Sequence, residues 1–592
     1  MAFIQKTTPP PNQVLNFSIK DFSGGMNNRS DQLKDTEGAI IQNLQYVDDV
    51  ILETRRGQTY YDEKDVVDAV VFVDEFKPYK DDNQLVRATT SKIYFGETEV
   101  GVASKPCGVN HQGKYFFADG EKLRVYGIFD DEAGTYVEHV GTPITTYDVF
   151  EIVSPTEGFT PLTAEHTQGK KVIDYTNKKI SYEPCKKEMD DALKGSNVPT
   201  PGVKFIVSHS DRLYMSGYKE DDDNVFISDV LNPYYYPVAL PIQLPPNSEE
   251  INGLAVFDDA VLVGRDSDIH VIRGKTNKAD IGLEVFKRIM LNTHTGFASN
   301  SAISKAHNYL IFLGSDGNVY AIQSSTTNYR ELSTVLLSRT IDLTKEPISA
   351  VVTDYPDASA FFYNDEWYLS VGDKVMVYNY RHMSWVMFTN IDAKCFYGVG
   401  YKWIWGMGNG RIGTFSDEDY YDFGEPFQSL WYSKNFDMDS PNAFKQFREF
   451  FIVAHTFAEY PSDIYITFEV DYADVQERVV VSNQLSVWGK SRFGDRYIVK
   501  NINESVPFVI GRRGRNIRIK LTNNYPLDGV VANYSDLENY LGKKNGLLVK
   551  VLSDEKYFLY MDYEWLEIPY EDLNQRMKVY QINGDFEMRG KR

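Results

Sequence analysis

The sequence predicts an all-β protein built around a β-propeller of six to eight blades, and three observations carry that expectation. One pattern recurs between Val203 and Phe415: an apolar strand, a tight polar turn, and a second apolar strand closing on Gly. It runs from His209-Ser210-Asp211 to Gly217, from Phe257-Asp258-Asp259 to Gly264, from Ala306-His307-Asn308 to Gly314, and from Asn364-Asp365 to Gly372. The turn anchors Asp211, Asp259, Asn308 and Asp365 lie 48, 49 and 57 residues apart by subtraction. A period of roughly 40–50 residues with several short strands per unit marks propeller blades. Composition agrees, since 41 Tyr and 35 Phe suit strands and large interfaces better than helices. The competing reading is a generic meander of hairpins, and regular spacing favours the ring.

The pattern extends both ways. His111-Gln112-Gly113-Lys114 opens an upstream copy that ends at Gly120, and Gly400-Tyr401-Lys402-Trp403-Ile404-Trp405-Gly406 gives a downstream one. A second hairpin repeats inside the units at Asp268-Ile269, Asp316-Gly317 and Asp373-Lys374. Asp and Asn accept positive φ and supply turn hydrogen bonds, while β-branched and aromatic residues fit a half-buried pleated surface.

Residues 1–60 do not read as a blade. Phe22-Ser23-Gly24-Gly25-Met26-Asn27-Asn28-Arg29 contains a Gly-Gly turn, and Leu52-Glu53-Thr54-Arg55-Arg56-Gly57 leads into the repeats. Gly24-Gly25 lacks the Lys-Ser/Thr that completes a phosphate loop, so the expectation is an extended arm docking on another surface. Asp35 is placed to cap a short helix carrying Ile40, Leu44 and Val47 on one face. The propeller is assigned to residues 61–424. Within it, residues 128–202 read as an excursion that still packs on the ring, with a helical-looking stretch from Cys185 to Leu193.

From about residue 425 the period is lost, and residues 425–592 read as a separate antiparallel domain, most simply a sandwich. Ile464, Ile466, Phe468 and Val470 alternate with polar neighbours, as do the residues of Arg515–Leu521. About residues 526–575 then separate this strand from the closing one near Met577, a stretch that the family resemblance described below implies is an inserted subdomain. There Ser535 is expected to cap a helix with Leu537 and Leu541, and the runs Leu547–Leu552 and Tyr557–Met561 to pair as a hairpin. Trp565, Tyr563 and Tyr570 are offered as side chains for a partner.

With 592 residues and 42% hydrophobic content the chain can bury a sizeable core. The formal net charge of −22 disfavours a nucleic-acid-coating role. Cys107, Cys185 and Cys395 are too scattered for a metal or redox motif and are expected as free thiols of a protein made in a reducing compartment. The start has no signal-peptide pattern, and no apolar run is long enough for a spanning helix.

No catalytic set is evident, and no cofactor or metal is expected. Nine His show no ligand spacing, and the acidic runs Glu220–Asp223 and Asp417–Asp419 lack the alternation of a calcium loop. Ser208-His209-Ser210-Asp211 spells a triad in print, but adjacent strand residues point to opposite faces. Gly314-Ser315-Asp316-Gly317-Asn318 lacks the Trp of a propeller hydrolase box. Trp403 and Trp405, with Trp385 near, are expected in core or interface packing, with sugar stacking as the alternative. Basic residues concentrate at Arg512, Arg513, Arg515, Arg518 and Lys520, and again at Arg589, Lys591 and Arg592. They read either as a charged strand edge that blocks edge pairing or as a docking site for an acidic neighbour.

Asp21 to Asn27 with Leu52 to Gly57, Asp211 to Gly217 with Val225 to Asp229, Gly511 to Arg518, and Tyr580 to Arg592 together resemble tailed-bacteriophage tail nozzle proteins. These are the tail tubular protein B-like and phage stabilisation protein families, and the likeness is spread thinly over most of the chain. The resemblance implies a non-enzymatic virion protein, made in the host bacterial cytoplasm, that forms a ring of six copies in the tail's DNA channel. It implies neighbouring tail or connector proteins as partners, viral DNA passing without tight binding, and a host-surface receptor as a further partner. Phe22, Gly24, Gly25, Arg55, Arg56, Arg512, Arg513, Arg515, Trp565, Arg589 and Arg592 are then the candidate interface residues. The alternatives are a receptor- or glycan-binding propeller at the tail tip, using aromatics near Trp403, and a glycan hydrolase whose paired carboxylates have no place in the sequence.

Overall fold

The computed structural model describes the chain except residues 1–13, 30–32, 48–49, 63, 103–104, 130–136, 155–168, 184–197, 199–201, 218–222, 238–241, 248, 275–284, 292, 325–330, 418, 456–462, 481–501, 505–506, 524–526, 541–542, 544–546, 562–563, 569–576 and 590–592. Seven four-stranded antiparallel units follow one another around a ring. Their first strands are Val70–Phe76, Cys107–His111, Phe205–His209, Gly253–Phe257, Ile303–Ala306, Ser359–Tyr363 and Cys395–Val399. Each lies beside the next, and the seventh returns to the first, so the sheet is a closed seven-bladed propeller.

The repeated turns join first and second strands, as their residue types predict. Ser210 and Asp211 have φ of 49° and 58°, and Asn364 and Asp365 have 49° and 63°, the paired left-handed conformation that suits the twist of a two-residue hairpin. In blades 4 and 5 the left-handed residue is Asp258 and His307, one position before the anchors named from spacing. Apolar residues of neighbouring blades interleave between the sheets: Phe257, Leu262 and Val271 of blade 4 pack with Leu310, Phe312 and Ile322 of blade 5.

Four sequence expectations are corrected. First, the segment after Asp35 is not a helix: Glu37–Gln42 and Leu44–Val47 are strands, with Asn43 at φ 53° between them. Ile40, Leu44 and Val47 have helical spacing, but Glu37–Gln42 enters a slot between the blade 6 outer strand Ser384–Phe388 and Leu430–Ser433. Pairing on both edges outweighs a weak local preference. Second, the propeller does not begin after the arm. Gln58–Tyr60 supplies the fourth strand of blade 7 beside Ile412–Phe415, so the chain's early segment closes the ring.

Third, the carboxyl-terminal sandwich is not separate. One of its sheets, Glu37–Gln42, Leu430–Ser433, Ile517–Thr522, Asp463–Val470 and Ala473–Val480, runs on from blade 6 without a break. The other places Lys578–Arg589 between Ile51–Thr54 and Phe444–His455, with Val14–Ile19 also paired to it. Phe447, Phe450, Ile452, Ile466, Phe468, Ile519 and Ile582 fill the space between the two sheets. The excursion after blade 2 behaves as expected, adding Lys179–Glu183, Lys170–Asp174 and Val137–Val140 to that blade's outer edge. The Cys185–Leu193 stretch lies outside the described residues.

Fourth, Ser535 does not cap its helix. Ser535–Glu538 follows Tyr534 as the cap residue, and the Asp536 carboxylate accepts from the Asn533 amide. The hairpin Leu547–Val551 with Lys556–Met561 is present, in a four-stranded sheet with Leu527–Val531 and Glu564–Ile568. This insert has its own small core of Leu537, Val549, Val551 and Phe558. It meets the body where Tyr465 packs with Leu548, Tyr557 and Leu559, and where Glu425 accepts from Lys550 Nζ at 2.7 Å and Tyr557 Oη at 2.8 Å. Replacing residues 526–575 by a short Gly-Ser link is expected to leave a folded protein. The cost is about 1.5–3 kcal/mol for uncovering Tyr465, because loop length itself costs little. Loss of the thermal transition would assign the insert to the core.

Candidate functional site

The arm is a staple within the chain. Phe22 is buried edge-on against Trp431, with ring centroids 5.2 Å apart. Gly24 lies where a Cβ would come 2.5 Å from Thr36 Oγ1, and Gly25, at φ +75°, leaves only 2.6 Å between such an atom and Ser384 Cβ. Asn27 Nδ2 donates to Glu37 Oε2 at 2.9 Å, Asn28 Nδ2 to the Asp342 carbonyl at 2.9 Å, and Arg29 Nη2 to Asn318 Oδ1 at 2.8 Å. The arm therefore reaches from the sandwich across blade 6 to blade 5. The expectation that Phe22, Gly24, Gly25 and Arg55 serve a second molecule is overturned, because their partners are in the same chain.

Arg55 is fully buried, and all five of its N–H groups are used. Nη2 and Nη1 clasp Asp422 at 2.7 and 2.9 Å, and Nε donates to Asn43 Oδ1 at 3.0 Å. The remaining two protons go to the carbonyls of Arg56 at 2.8 Å and Thr389 at 3.0 Å. The guanidinium lies 4.0 Å from the Phe427 ring centroid. One side chain thus ties the arm, the end of blade 6 and the segment entering the sandwich. Arg56 lies over the Tyr420 ring at 4.8 Å.

The two basic segments noted in sequence meet at Phe444. Gly514 pairs with Lys445, and Arg589 pairs with Phe444 in the neighbouring ladder. Arg513 and Arg515 are exposed, and their guanidinium carbons sit 5.3 and 5.2 Å from the Phe444 ring centroid. Arg512 is exposed beside them, its carbonyl accepting from the Phe447 amide. Tyr472 and Val509 complete the patch at 88% and 70% exposure. The Asp471 carboxylate accepts from the Arg515 amide at 2.9 Å, and the fully buried Lys445 ammonium donates to the Ser440, Ala443 and Arg515 carbonyls. Burial holds the Lys445 amine below its ordinary pKa. Arg518 instead stacks on Tyr432 at 3.9 Å. Sequence spacing could not find Tyr472 and Phe444, because only strand register brings them to these arginines. Arg592 lies outside the described residues.

Trp565 is half-buried within the insert: its Nε1 donates to the Leu537 carbonyl at 3.1 Å, and its ring packs on Tyr540 and Tyr560. Tyr563 and Tyr570 lie outside the described residues. Trp403 and Trp405 are core residues at 5% and 0% exposure, so neither offers a ring face to a sugar. Trp385 is buried with them. Asp417 pairs with Lys402 at 2.8 Å, Asp223 with Arg265 at 2.9 Å, and Glu220–Asp222 lie outside the described residues. Among the described residues no three His, Cys, Asp or Glu side chains gather as metal ligands, and no helix is long and apolar enough to cross a membrane. Cys107 and Cys395 are free thiols whose pKa burial raises, Cys107 to about 11 and Cys395 to about 12.

Ser208 meets not its sequence neighbour but His111 of blade 2, with Oγ 2.8 Å from Nδ1. The opposite ring nitrogen, Nε2, has no hydrogen-bond partner, so nothing orients the ring as a relay base requires. Along the axis the first strands enclose a cavity of about 430 Å³ lined by Cys107, Ser208, Ala255, Ser304, Ser359 and Phe396.

No protein-family model matches the chain, and no curated protein matches it. Among solved structures it is similar to the computationally designed protein Ika8, at 11% identity and TM-score 0.31, over 60% of this chain and 97% of that one. It is similar to the Pan2 WD40 domain of Neurospora crassa at 7% identity and TM-score 0.31, over 62% and 97%. A candidate 6-phosphogluconolactonase of Bacteroides fragilis gives 9% identity and TM-score 0.33, over 59% and 94%. The blade assignment rests on this chain's own hydrogen-bond ladders, and these likenesses say nothing of its activity.

Proposed function

We propose that this protein is a non-enzymatic structural subunit of a tailed-bacteriophage tail, assembling with copies of itself into a ring through which DNA passes. The observation that carries the reading is the Arg512–Arg513–Arg515 patch with Phe444 and Tyr472: exposed Arg side chains over a half-buried Phe beside an exposed Tyr, on a sandwich edge, in a chain of net charge −22. Arg and Tyr are the residues that anchor protein interfaces, and the rest of the molecule supplies the complementary charge. The occupant proposed is the acidic surface of a second copy. A contact between two different surfaces repeats head to tail and closes into a ring when the rotation permits. The resemblance of the arm and carboxyl strands to tail nozzle proteins supplies the virion setting and the six copies. The acidic balance suits a wall that lets phosphates slide and does not grip them.

The test is native mass measurement and electron imaging of the full chain, alone and in the particle that bears it. Rings are expected, and Arg512→Glu/Arg513→Glu/Arg515→Glu is expected to leave folded monomers. Each arginine carries about 2 kcal/mol, or about thirtyfold in Kd. A wild-type monomer under both conditions, or rings unchanged by the triple substitution, would overturn the reading.

A further inference from the structure

Strand Asp463–Val470 links two surfaces of opposite charge. Past its last residue, the turn of Asp471 and Tyr472 belongs to the arginine patch, where the Asp471 carboxylate accepts from the Arg515 amide at 2.9 Å. Near its first residue, Tyr465 packs with Leu548, Tyr557 and Leu559 of the insert. At roughly 3.3 Å per residue, the strand from Tyr465 to Asp471 extends about 20 Å, so the two contacts are well separated. The patch is unanswered in its own chain. Arg513 and Arg515 lie over Phe444, but among the described residues no carboxylate forms an ion pair with the side chain of either, or with that of Arg512.

The insert is its counterpart. Residues 526–575 hold ten acidic and four basic residues, more than a quarter of the chain's net charge of −22 in less than a tenth of its length. The Leu552 and Ser553 amides donate to the Val531 and Ala532 carbonyls at 2.9 and 3.0 Å, which sets the hairpin turn 552–555 beside the segment that leads into the helical turn Ser535–Glu538. Asp536, Glu538, Asp554 and Glu555 are all exposed there. Among the described residues no Lys or Arg forms an ion pair with any of the four, whereas Glu567 is paired with Lys556 at 2.8 Å. Val530, Tyr534 and Leu552 stand among them at 52%, 51% and 55% exposure. One surface thus offers open guanidinium groups with Tyr472 and Val509, and the other offers open carboxylates with Tyr534 and Leu552. A carboxylate accepts two parallel N–H groups from one guanidinium, so the two surfaces match in geometry as well as in sign. They differ from each other and lie apart, which makes their contact head to tail, the kind that closes into rings.

We infer that the insert is the acidic half of the ring contact: its surface at residues 530–538 and 552–555 docks on the Arg512–Arg513–Arg515 patch of the next copy. The inference rests on the ring reading above and names the surface that the patch meets. The test is native mass measurement and imaging of full-length chains in which either surface is reversed. Glu538→Arg/Asp554→Arg/Glu555→Arg is expected to weaken assembly at least tenfold and leave folded monomers, as the arginine triple does. An equimolar mixture of the two triple variants is expected to form rings again, because the two reversed surfaces meet in one contact and the two native surfaces in the next. Rings unchanged by the insert reversal overturn the docking and leave the patch reading standing, and a mixture that stays monomeric overturns the docking as well. An image in which the patch seats a different protein while the insert lies free does the same. A wild-type chain without rings overturns the ring reading and the docking with it. If the insert variant does not fold, Tyr472→Cys/Leu552→Cys decides. A short bismaleimide is expected to join its copies into a ladder, and no links beyond those of either single substitution overturns the docking.

Discussion

A chain lacking residues 1–60 does not reach a cooperatively folded state. Four structural jobs leave with those residues. Glu37–Gln42 bridges blade 6 to the sandwich, Gln58–Tyr60 closes blade 7, and Val14–Ile19 and Ile51–Thr54 both pair with Lys578–Arg589. Phe22, Met26, Ile41, Leu44 and Leu52 are buried at 1%, 0%, 0%, 0% and 3% exposure. At about 1.5–3 kcal/mol each, their burial alone rivals the roughly 5–15 kcal/mol that stabilises a typical fold. The truncated chain also exposes open strand edges, which invite aggregation. The measurement is urea unfolding followed by tryptophan fluorescence, since Trp385 and Trp431 both lie against the arm. A soluble truncated protein with a single sharp transition near that of the full chain would refute this account.

The second large effect is expected at the buried pair of Arg55 and Asp422. Arg55→Met leaves the Asp422 carboxylate without its bidentate partner, and Asp422→Leu leaves a guanidinium at 0% exposure with two open donors. Removing one member of such a pair costs about 3–5 kcal/mol, because the survivor is a charge out of water with nothing to answer it. The double substitution removes both charges and is expected to cost less than the sum of the two singles. Arg55→Lys is not a conservative change here: an ammonium has three donors where five are used, and it cannot clasp both carboxylate oxygens. Denaturant unfolding of the four variants tests this. Single substitutions within about 1 kcal/mol of wild type would show that Arg55 is not what binds the arm to the ring.

These two expectations follow from a rearrangement that local reading could not foresee. The insert was implied by a family resemblance; the sequence by itself determined the all-β class, the repeat, the irregular stretch after blade 2 and the loss of period near residue 425. Each is written in short-range chemistry: turn residues that accept positive φ, alternation of period two, and hydrophobic runs bounded by Asp, Asn and Gly. It also singled out Asp21 to Arg29 and Leu52 to Gly57 as special segments.

Tertiary structure alone decided what those segments do. Whether Ile40 and Leu44 lie on a helix or a strand depends on a slot between Ser384–Phe388 and Leu430–Ser433, residues hundreds of positions away. Ring closure by Gln58–Tyr60 and the count of seven blades depend on how many twisted sheets fill a circle, a property of the whole ring and not of any one unit. Arg55 reads in sequence as a basic residue beside Arg56 and becomes a buried centre only because Asn43, Thr389 and Asp422 converge on it. His111 likewise meets Ser208 of the next blade, Nδ1 to Oγ, only because ring closure brings the two first strands together. Period and turn chemistry are local and can be read along the chain; register between distant strands, and the burial of charge that follows from it, exist only once the chain has closed on itself.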